Sequence, residues 1–320
     1  MGAVLEIIAP IVALGLAGYA LGRTSLLSGE GLRGLNNVTF YILFAALLFR
    51  SMANVRLDTL DPAILFAFFG GVWLVYGGLM LIGRFLLGMK LADQAILGLS
   101  GSFSNGVGLA IPLVSLTFGE AGLVPLLIII SMHSLVMLTA TCFLLELGGA
   151  GAGSDGGIGR RMLGAAITMF KHPVLPAIFS GLAWGVLTRQ IPGLALPAVL
   201  DKALALAANA AAPCGLIMLG ASLAHVGFKG HWREGVLAST AKLLVLPVIV
   251  WLLGRYVFRL DPLWLTIATL DATMPAGANV YLIAQRYNVG VGRATNAVVL
   301  STIAGVATVS VALGLLGVGR

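Results

Sequence analysis

The sequence predicts an all-α polytopic membrane protein of ten transmembrane helices, arranged as two inverted five-helix repeats with crossed, broken helices 4 and 9. Three observations support this fold. The 320-residue chain is 59% hydrophobic and only 10% charged, whereas about 25% of the residues of a soluble domain are charged. Its apolar residues fall into segments of about 20, the length that crosses a bilayer. Two of these segments, at matching positions in the two halves, carry helix-breaking residues at their centres.

Ten apolar spans divide the chain, at residues 3–22, 32–52, 63–87, 93–117, 121–146, 172–188, 197–223, 236–257, 262–287 and 294–317. A flexible glycine-rich stretch, Gly148–Gly159, separates the fifth span from the sixth, and residues 160–171 have the pattern of an interfacial amphipathic helix. The chain therefore divides into a first repeat (1–147), a linker with its interfacial helix (148–171) and a second repeat (172–320). Because five is odd, the second repeat enters the membrane in the opposite orientation.

The fourth and ninth spans are interrupted at their centres. The ninth carries Asp271, Pro275 and Gly277 there, and the fourth carries Asn105 and Gly106. Proline removes a backbone donor and glycine relaxes the backbone, so each span should form two half-helices. A membrane tolerates such a break only beside protein or a water-filled cavity. Matched broken spans are typical of the binding site of a secondary transporter.

A fainter trace of the repeat lies in the second and seventh spans. Four residues of one align with four of the other at a constant offset: Leu48, Ser51, Ala53 and Val55 with Leu219, Ser222, Ala224 and Val226. Small residues in Gly181–Gly185 predict close packing between helices. The two cysteines, Cys142 and Cys214, lie inside apolar spans, so the sequence predicts neither a disulfide framework nor a metal site.

The basic residues predict the orientation in the membrane. Eleven lie in or beside odd-numbered loops, whereas six lie in even-numbered loops or at the C-terminus. The positive-inside rule therefore places the odd loops in the cytoplasm and both termini outside it, in a multi-pass protein of the cell inner membrane. The net charge of +7 is explained by these loops, and no nucleic-acid partner is expected.

The two broken helices predict an anion site. Each presents the N-terminus of its second half, equivalent to roughly half a positive charge, toward one point. A carboxylate is the natural small anion for such a point. The predicted substrate-binding residues are Asn105, Gly106, Gly108, Pro275, Gly277 and Asn279. Two interpretations of the asparagines remain open: donation to a carboxylate, or capping of the half-helices alone.

Three ionisable residues lie within spans: Asp271, Lys242 and His133. Such residues are candidates for coupling or charge compensation. The alternatives are structural: Lys242 could snorkel to an interface, Asp271 could be salt-bridged, and His133 could be a packing residue. A remote alternative is an intramembrane serine protease of the rhomboid type, since Gly98–Gly101 has the GxSG form and His133 is available. A second broken helix has no role in that chemistry.

Motifs along nearly the whole chain carry a family resemblance. They are Pro10 with Gly18 and Tyr19, Asn37–Phe49, Ser104 and Asn105 with Pro112, Pro213 with Gly220, Lys242 with Pro247, Met274 with Pro275, and Ala284–Tyr287. In these the chain resembles the auxin efflux carrier family, which includes the plant PIN-formed auxin exporters and bacterial malonate carriers. The resemblance implies a ten-helix inverted-repeat fold, helices 4 and 9 that cross in unwound segments beside the substrate, and a transport domain that moves against a scaffold. Ser104 departs from the plant proteins, which have proline there, and Ala45 stands where many relatives have proline.

The predicted function is secondary transport of small organic carboxylate anions, such as malonate, by an alternating-access or elevator motion. No Walker motif is present, and no cofactor is expected. The alternative within transport is a cation-coupled symporter or antiporter of the bile-acid or sodium–proton exchanger type. Those folds usually place paired carboxylates at the crossing, whereas Asp271 stands alone. The expected partners are the carboxylate substrate and the lipid bilayer, and the oligomeric state, a homodimer included, stays open.

Overall fold

The computed structural model describes residues 2–27, 29–54, 61–150, 173–225 and 230–318, with the side chains of residues 2–8 and 175 excepted. Within these ranges the chain is helical and contains no strand. The helices are α1 (Gly2–Gly22), α2 (Gly29–Ala53), α3 (Ala63–Phe85), α4 (Leu91–Ser102), α5 (Gly106–Leu147), α6 (Val174–Gln190), α7 (Ala198–Leu223), α8 (Trp232–Val257), α9 (Pro262–Thr273), α10 (Ala278–Tyr287) and α11 (Val291–Leu315).

Six of the described helices are long and apolar enough to cross a membrane, namely α2, α3, α5, α7, α8 and α11. α5 contains the end of the predicted fourth span and the whole of the fifth. The two are separated at Gly119, whose backbone angles (φ 59°, ψ −149°) are not helical and suit only glycine. The predicted boundary between spans four and five therefore coincides with a kink inside a continuous helical run.

Helix boundaries differ from the predicted spans by a few residues. α2 begins at Gly29, before the predicted residue 32, and α8 begins at Trp232, before 236. The sequence-based bounds follow apolar residues, whereas a helix continues into its polar first turn. The predicted linker, Gly148–Gly159, is described only as far as residue 150, and the predicted interfacial helix at 160–171 lies outside the described residues.

Two helix pairs pack with their backbones in contact. A Cβ on Gly181 of α6 would lie 2.4 Å from the carbonyl oxygen of Phe49 in α2, and one on Gly185 would lie 2.3 Å from that of Ala53. The close packing predicted at Gly181–Gly185 is therefore present. α1 and α7 meet in the same way, since a Cβ on Gly220 would lie 1.9 Å from the Gly15 carbonyl oxygen.

The buried apolar side chains form two clusters. One includes Phe68 of α3, Ile96 of α4 and Val250 of α8. The other includes Phe44 of α2 and Leu126 of α5. α9 contributes to both clusters, through Ala268 to the first and Ile267 to the second. The helix that leads into the interruption between α9 and α10 is consequently packed against both clusters.

Candidate functional site

Two unwound segments cross and join by backbone hydrogen bonds. α4 ends at Ser102 and α5 begins at Gly106, while α9 ends at Thr273 and α10 begins at Ala278. Between these ends Ser104 and Ala276 form an isolated antiparallel bridge. The amide of Asn105 donates to the Pro275 carbonyl at 2.8 Å, and the amide of Gly277 donates to the Phe103 carbonyl at 3.1 Å. Backbone groups freed by one break are thus satisfied by the other.

The crossing has a local pseudo-two-fold symmetry. Residues 103, 104 and 105 correspond to 275, 276 and 277, at a constant offset of 172. Under this correspondence the two backbone hydrogen bonds exchange places. The segments also begin their second half-helices at equivalent positions, because Asn105 is the N-cap of α5 and Gly277 is the N-cap of α10.

The two N-caps differ chemically. The Asn105 side-chain oxygen accepts a hydrogen bond from the Gly108 amide at 3.1 Å, so Asn105 caps its half-helix. A Cβ on Gly108 would lie 2.6 Å from this oxygen, which is why glycine stands there. Gly277 has no side chain, and α10 has no side-chain cap. Asn279 lies two residues beyond Gly277 and is partly exposed, so the capping interpretation applies to Asn105 and not to Asn279.

The remaining predicted site residues support the crossing through close packing. Pro275 is buried, and its ring lies opposite Gly305 of α11, where a Cβ would approach it at 3.5 Å. A Cβ on Gly277 would lie 3.0 Å from the Phe103 ring. Gly106 is buried against Ile130 and Asp271. The structure brings all six predicted residues to one crossing, with Asn105 and Asn279 as the partly exposed side chains among them.

Two serines that the sequence reasoning did not single out also hold the crossing. The Ser104 hydroxyl donates to the Asp271 carbonyl at 2.8 Å. The Ser301 hydroxyl accepts from the Ala276 amide at 2.9 Å. The sequence signal that could have identified them is a serine inside an apolar span. Ser104 lies in the break of the fourth span, and Ser301 lies in the span that follows the broken ninth span.

Asp271 is buried beside the crossing with 0% exposure. Neither oxygen of its carboxylate has a hydrogen-bond partner among the described residues. A Cβ on Gly106 would lie 3.3 Å from Oδ1, so the carboxylate is next to the first turn of α5. No ion pair within 4.0 Å joins Asp271 to another described residue, so the salt-bridged interpretation has no direct contact in its support.

Lys242 is the buried cation of this region, also with 0% exposure. It lies in a π-helical stretch, Ala241–Val245, and its ammonium donates to the Ala272 carbonyl at 2.5 Å near the end of α9. Its charge interacts with that of Asp271 without direct contact. The snorkelling interpretation of Lys242 is wrong because its ammonium points at the broken helix and not at an interface.

His133 packs among aromatic rings. Its ring centroid lies 4.6 Å from that of Phe103, 5.2 Å from Phe68 and 6.0 Å from Phe69. It is 3% exposed, and its Nε2 has no hydrogen-bond partner among the described residues. Ser100 of the GxSG segment donates instead to the Ile96 carbonyl in its own helix at 2.7 Å. The structure thus shows no hydrogen bond between the Ser100 hydroxyl and His133 Nε2.

Comparison with known proteins decides the family. A family model described as membrane transport protein matches residues 3–154 and 160–313, nearly the whole chain. The chain belongs to this auxin efflux carrier family of membrane transporters. It is also similar to a protein of Rhizobium meliloti (strain 1021) named "Putative malonate transporter", with 28% identity over 324 residues, which cover 100% of this chain and 98% of that protein.

The transporter has an apolar cavity of about 300 Å³ next to the crossing. One wall is formed by α1 and α7 and the other by α5 and α11, with Leu109, Leu113, Thr302 and Gly305 among the lining residues. The sequence analysis did not predict these residues, although Leu109 and Leu113 follow Asn105 at helical spacing. Asn105 and Pro275 do not line this cavity, which begins one turn farther along α5 and behind Gly305.

Proposed function

We propose that this transporter is a secondary carrier of small organic carboxylate anions, malonate or a related acid, that works by alternating access. The observation that carries the proposal is the asymmetric crossing. α10 begins inside the protein with no side-chain cap, and the Asn279 amide lies partly exposed in its first turn. Unpaired N–H groups and the helix dipole make such an end favourable for a carboxylate. The name of the Rhizobium meliloti relative points to the same class of substrate.

We further propose that the full architecture is the ten-helix inverted repeat. The offset of 172 at the crossing agrees to within one residue with the offset of 171 between Leu48 and Leu219. The packing of α1 on α7 and of α2 on α6 supports the same symmetry. If α1 corresponds to α6 and α2 to α7, these two contacts exchange under the two-fold axis.

Ion pairs at the helix ends support the alternation of the spans. Arg293 pairs with Asp93, and Arg293 Nε lies 3.8 Å from Glu234 Oε1. These contacts join the starts of α11, α4 and α8. All three residues follow odd-numbered loops. Arg50 at the end of α2 pairs with Asp201 at the start of α7, and both adjoin even-numbered loops. The proposed orientation puts the Arg293 cluster on the cytoplasmic side of the inner membrane and the Arg50 pair on the opposite side.

The apolar cavity suggests where the transporter moves. It separates the tightly packed pair α1 and α7 from α5 and α11, which adjoin the crossing. In the proposed mechanism α1, α2, α6 and α7 are the scaffold. The crossing and the helices around it move against that scaffold and carry the bound anion between the two sides.

The test is direct binding by the purified full-length protein. Thermal unfolding is measured with malonate, succinate, acetate and butyrate, at acidic and alkaline pH, with and without sodium. A ligand present at 100 times its Kd stabilises the folded state by about 2.7 kcal/mol, which is measurable as a rise in Tm. The uncharged analogue malonamide is the matched control and should have no effect.

Transport is then measured as uptake of the binding acid into proteoliposomes. Failure of every acid to bind or enter would overturn the proposal. Binding that requires sodium would favour the cation-coupled alternative, because sodium would then be part of the site.

A further inference from the structure

One of the two positive helix ends at the crossing already has a carboxyl group of the protein itself beside it. Asp271 Oδ1 lies 3.3 Å from the Cβ position of Gly106, the first residue of the helical run that begins α5. Both carboxylate oxygens lack hydrogen-bond partners among the described residues. A buried ionised carboxylate is stable only when other charges or dipoles compensate it, and here these are the end of α5 and the ammonium of Lys242.

The other positive end, at α10, has no such anion. The residue that corresponds to Asp271 at the offset of 172 is Leu99, a buried apolar residue. The N-cap at this end is Gly277, and Asn279 is partly exposed beside it. The start of α5, where Asp271 lies, and the start of α10 are joined by the Ser104–Ala276 bridge. A substrate carboxylate that binds at α10 would therefore share this buried region with Asp271. A second negative charge in the same buried region as a carboxylate is disfavoured.

Few other groups can compensate a second anion. Lys242 of α8 is the described residue whose charge acts on Asp271. The charge of Lys242 acts in turn on His133 of α5. Among the described residues, the buried acidic, basic and histidine side chains are Asp271, Lys242 and His133. The buried region is thus neutral when Lys242 and Asp271 are both charged and negative by one when an anion is added.

We infer that Asp271 is the coupling residue of this transporter: its carboxylate takes up one proton from water as the substrate carboxylate binds. The inference rests on the proposed carboxylate transport. Before binding, Asp271 is the counter-charge of Lys242. After binding, Asp271 is neutral, the substrate carboxylate is the counter-charge, and the buried region stays neutral. Acid and proton then cross together.

Linked binding predicts a specific pH dependence. If one proton accompanies the anion, the Kd should rise by up to about tenfold for each pH unit above the range in which Asp271 is already protonated. Isothermal titration calorimetry of the tightest-binding monocarboxylate, acetate or butyrate, measures this, because the second carboxylate of malonate can itself bind a proton. Titrations in two buffers with different ionisation enthalpies give the number of protons taken up, which should approach one.

Asp271→Asn should bind the same acid with a Kd that no longer depends on pH and with no proton uptake. Asp261→Asn is the matched control, because Asp261 is an exposed carboxylate at the other end of α9, where it caps the Leu263 amide and where asparagine can do the same. It should keep both the pH dependence and the proton uptake.

The outcomes separate the two levels of the proposal. Failure of every acid to bind overturns the proposed function and this inference with it. Binding by the parent protein without proton uptake overturns the inference alone, and that result needs no variant to fold. Uptake that persists in a folded Asp271→Asn protein also overturns it, because the proton then belongs to His133 or to the acid.

Discussion

At the residue scale, the two asparagines of the crossing have different tasks. Asn105 accepts a hydrogen bond from the Gly108 amide and so completes the first turn of α5. Asn279 is beyond the N-cap of α10 and does not cap it. An asparagine at the second position of a helix inside a membrane protein, partly exposed and without a capping role, is suited to donate to a ligand.

We predict that Asn279→Ala weakens carboxylate binding by about 1–3 kcal/mol, the range for loss of a hydrogen bond to a charged group. Its Tm should change little, since no cap is lost. Asn279→Asp should weaken binding further, because it places a negative charge where the substrate carboxylate binds. Affinity from calorimetry and Tm from unfolding are measured for both variants.

Asn105→Ala is the contrasting variant. Loss of the cap should lower stability by about 0.5–2 kcal/mol, and Asn105→Asp should retain that stability because aspartate caps equally well. If Asn279→Asp binds the acid as tightly as the parent protein does, Asn279 is not a ligand and the α10 site must consist of backbone amides alone.

At the element scale, the contacts of α1 with α7 and of α2 with α6 depend on glycines, which have no side chain, at a few helix positions. Gly185 of α6 contacts the Ala53 carbonyl of α2, and Gly18 of α1 lies where a Cβ would be 2.1 Å from the Ile217 carbonyl of α7. Helices in a membrane gain stability from close packing, since lipid is as apolar as their side chains. A methyl group at such a position must push two backbones apart.

We predict that Gly185→Ala lowers the Tm because its Cβ would lie 2.3 Å from the Ala53 carbonyl oxygen, a contact that only helix displacement relieves. Gly78→Ala in α3 is the matched control, since nothing lies within 4 Å of a Cβ there. It should raise helix stability by up to about 1 kcal/mol through propensity. Equal effects of the two substitutions on the Tm of the purified protein would contradict the packing argument.

At the scale of the whole molecule, two groups of ion pairs lie at helix ends. Arg293, Asp93 and Glu234 meet where helices follow odd-numbered loops, and Arg50 pairs with Asp201 beside even-numbered loops. The basic bias of the odd-numbered loops predicts that the helix ends beside them lie on the cytoplasmic side. This orientation follows from sequence alone and is open to a direct labelling experiment.

We predict that a cysteine at position 154, introduced as Ser154→Cys, resists an impermeant thiol reagent in intact cells, because the proposed orientation places the linker in the cytoplasm. Gln190→Cys, at the exposed end of α6, should label readily from outside. Both variants are made after replacement of Cys142 and Cys214. Labelling of position 154 without labelling of position 190 would reverse the proposed topology.

The sequence by itself determined the features that depend on local chemistry and on the bilayer. Apolar length located the ends of most described helices to within a few residues, because a helix that crosses a bilayer needs about 20 apolar residues. Pro275 and its neighbouring glycines located the break between α9 and α10, because proline cannot continue a helix without loss of a hydrogen bond. Gly181 and Gly185 indicated a close helix contact, because only small residues allow one.

Only the tertiary structure decided which residues distant in the chain become hydrogen-bond partners at the crossing. The Ser104 hydroxyl donates to the carbonyl of Asp271, which is 167 residues away in the chain. The Lys242 ammonium donates to the Ala272 carbonyl and not to the Asp271 carboxylate. No local pattern encodes these choices, because they depend on which helix faces meet. The same reason explains why the sequence left capping by the two asparagines open. The N-cap positions of α5 and α10 are Asn105 and Gly277, so Asn279 is not at the N-cap. A side-chain cap forms only where a side chain reaches the free amides, as Asn105 does.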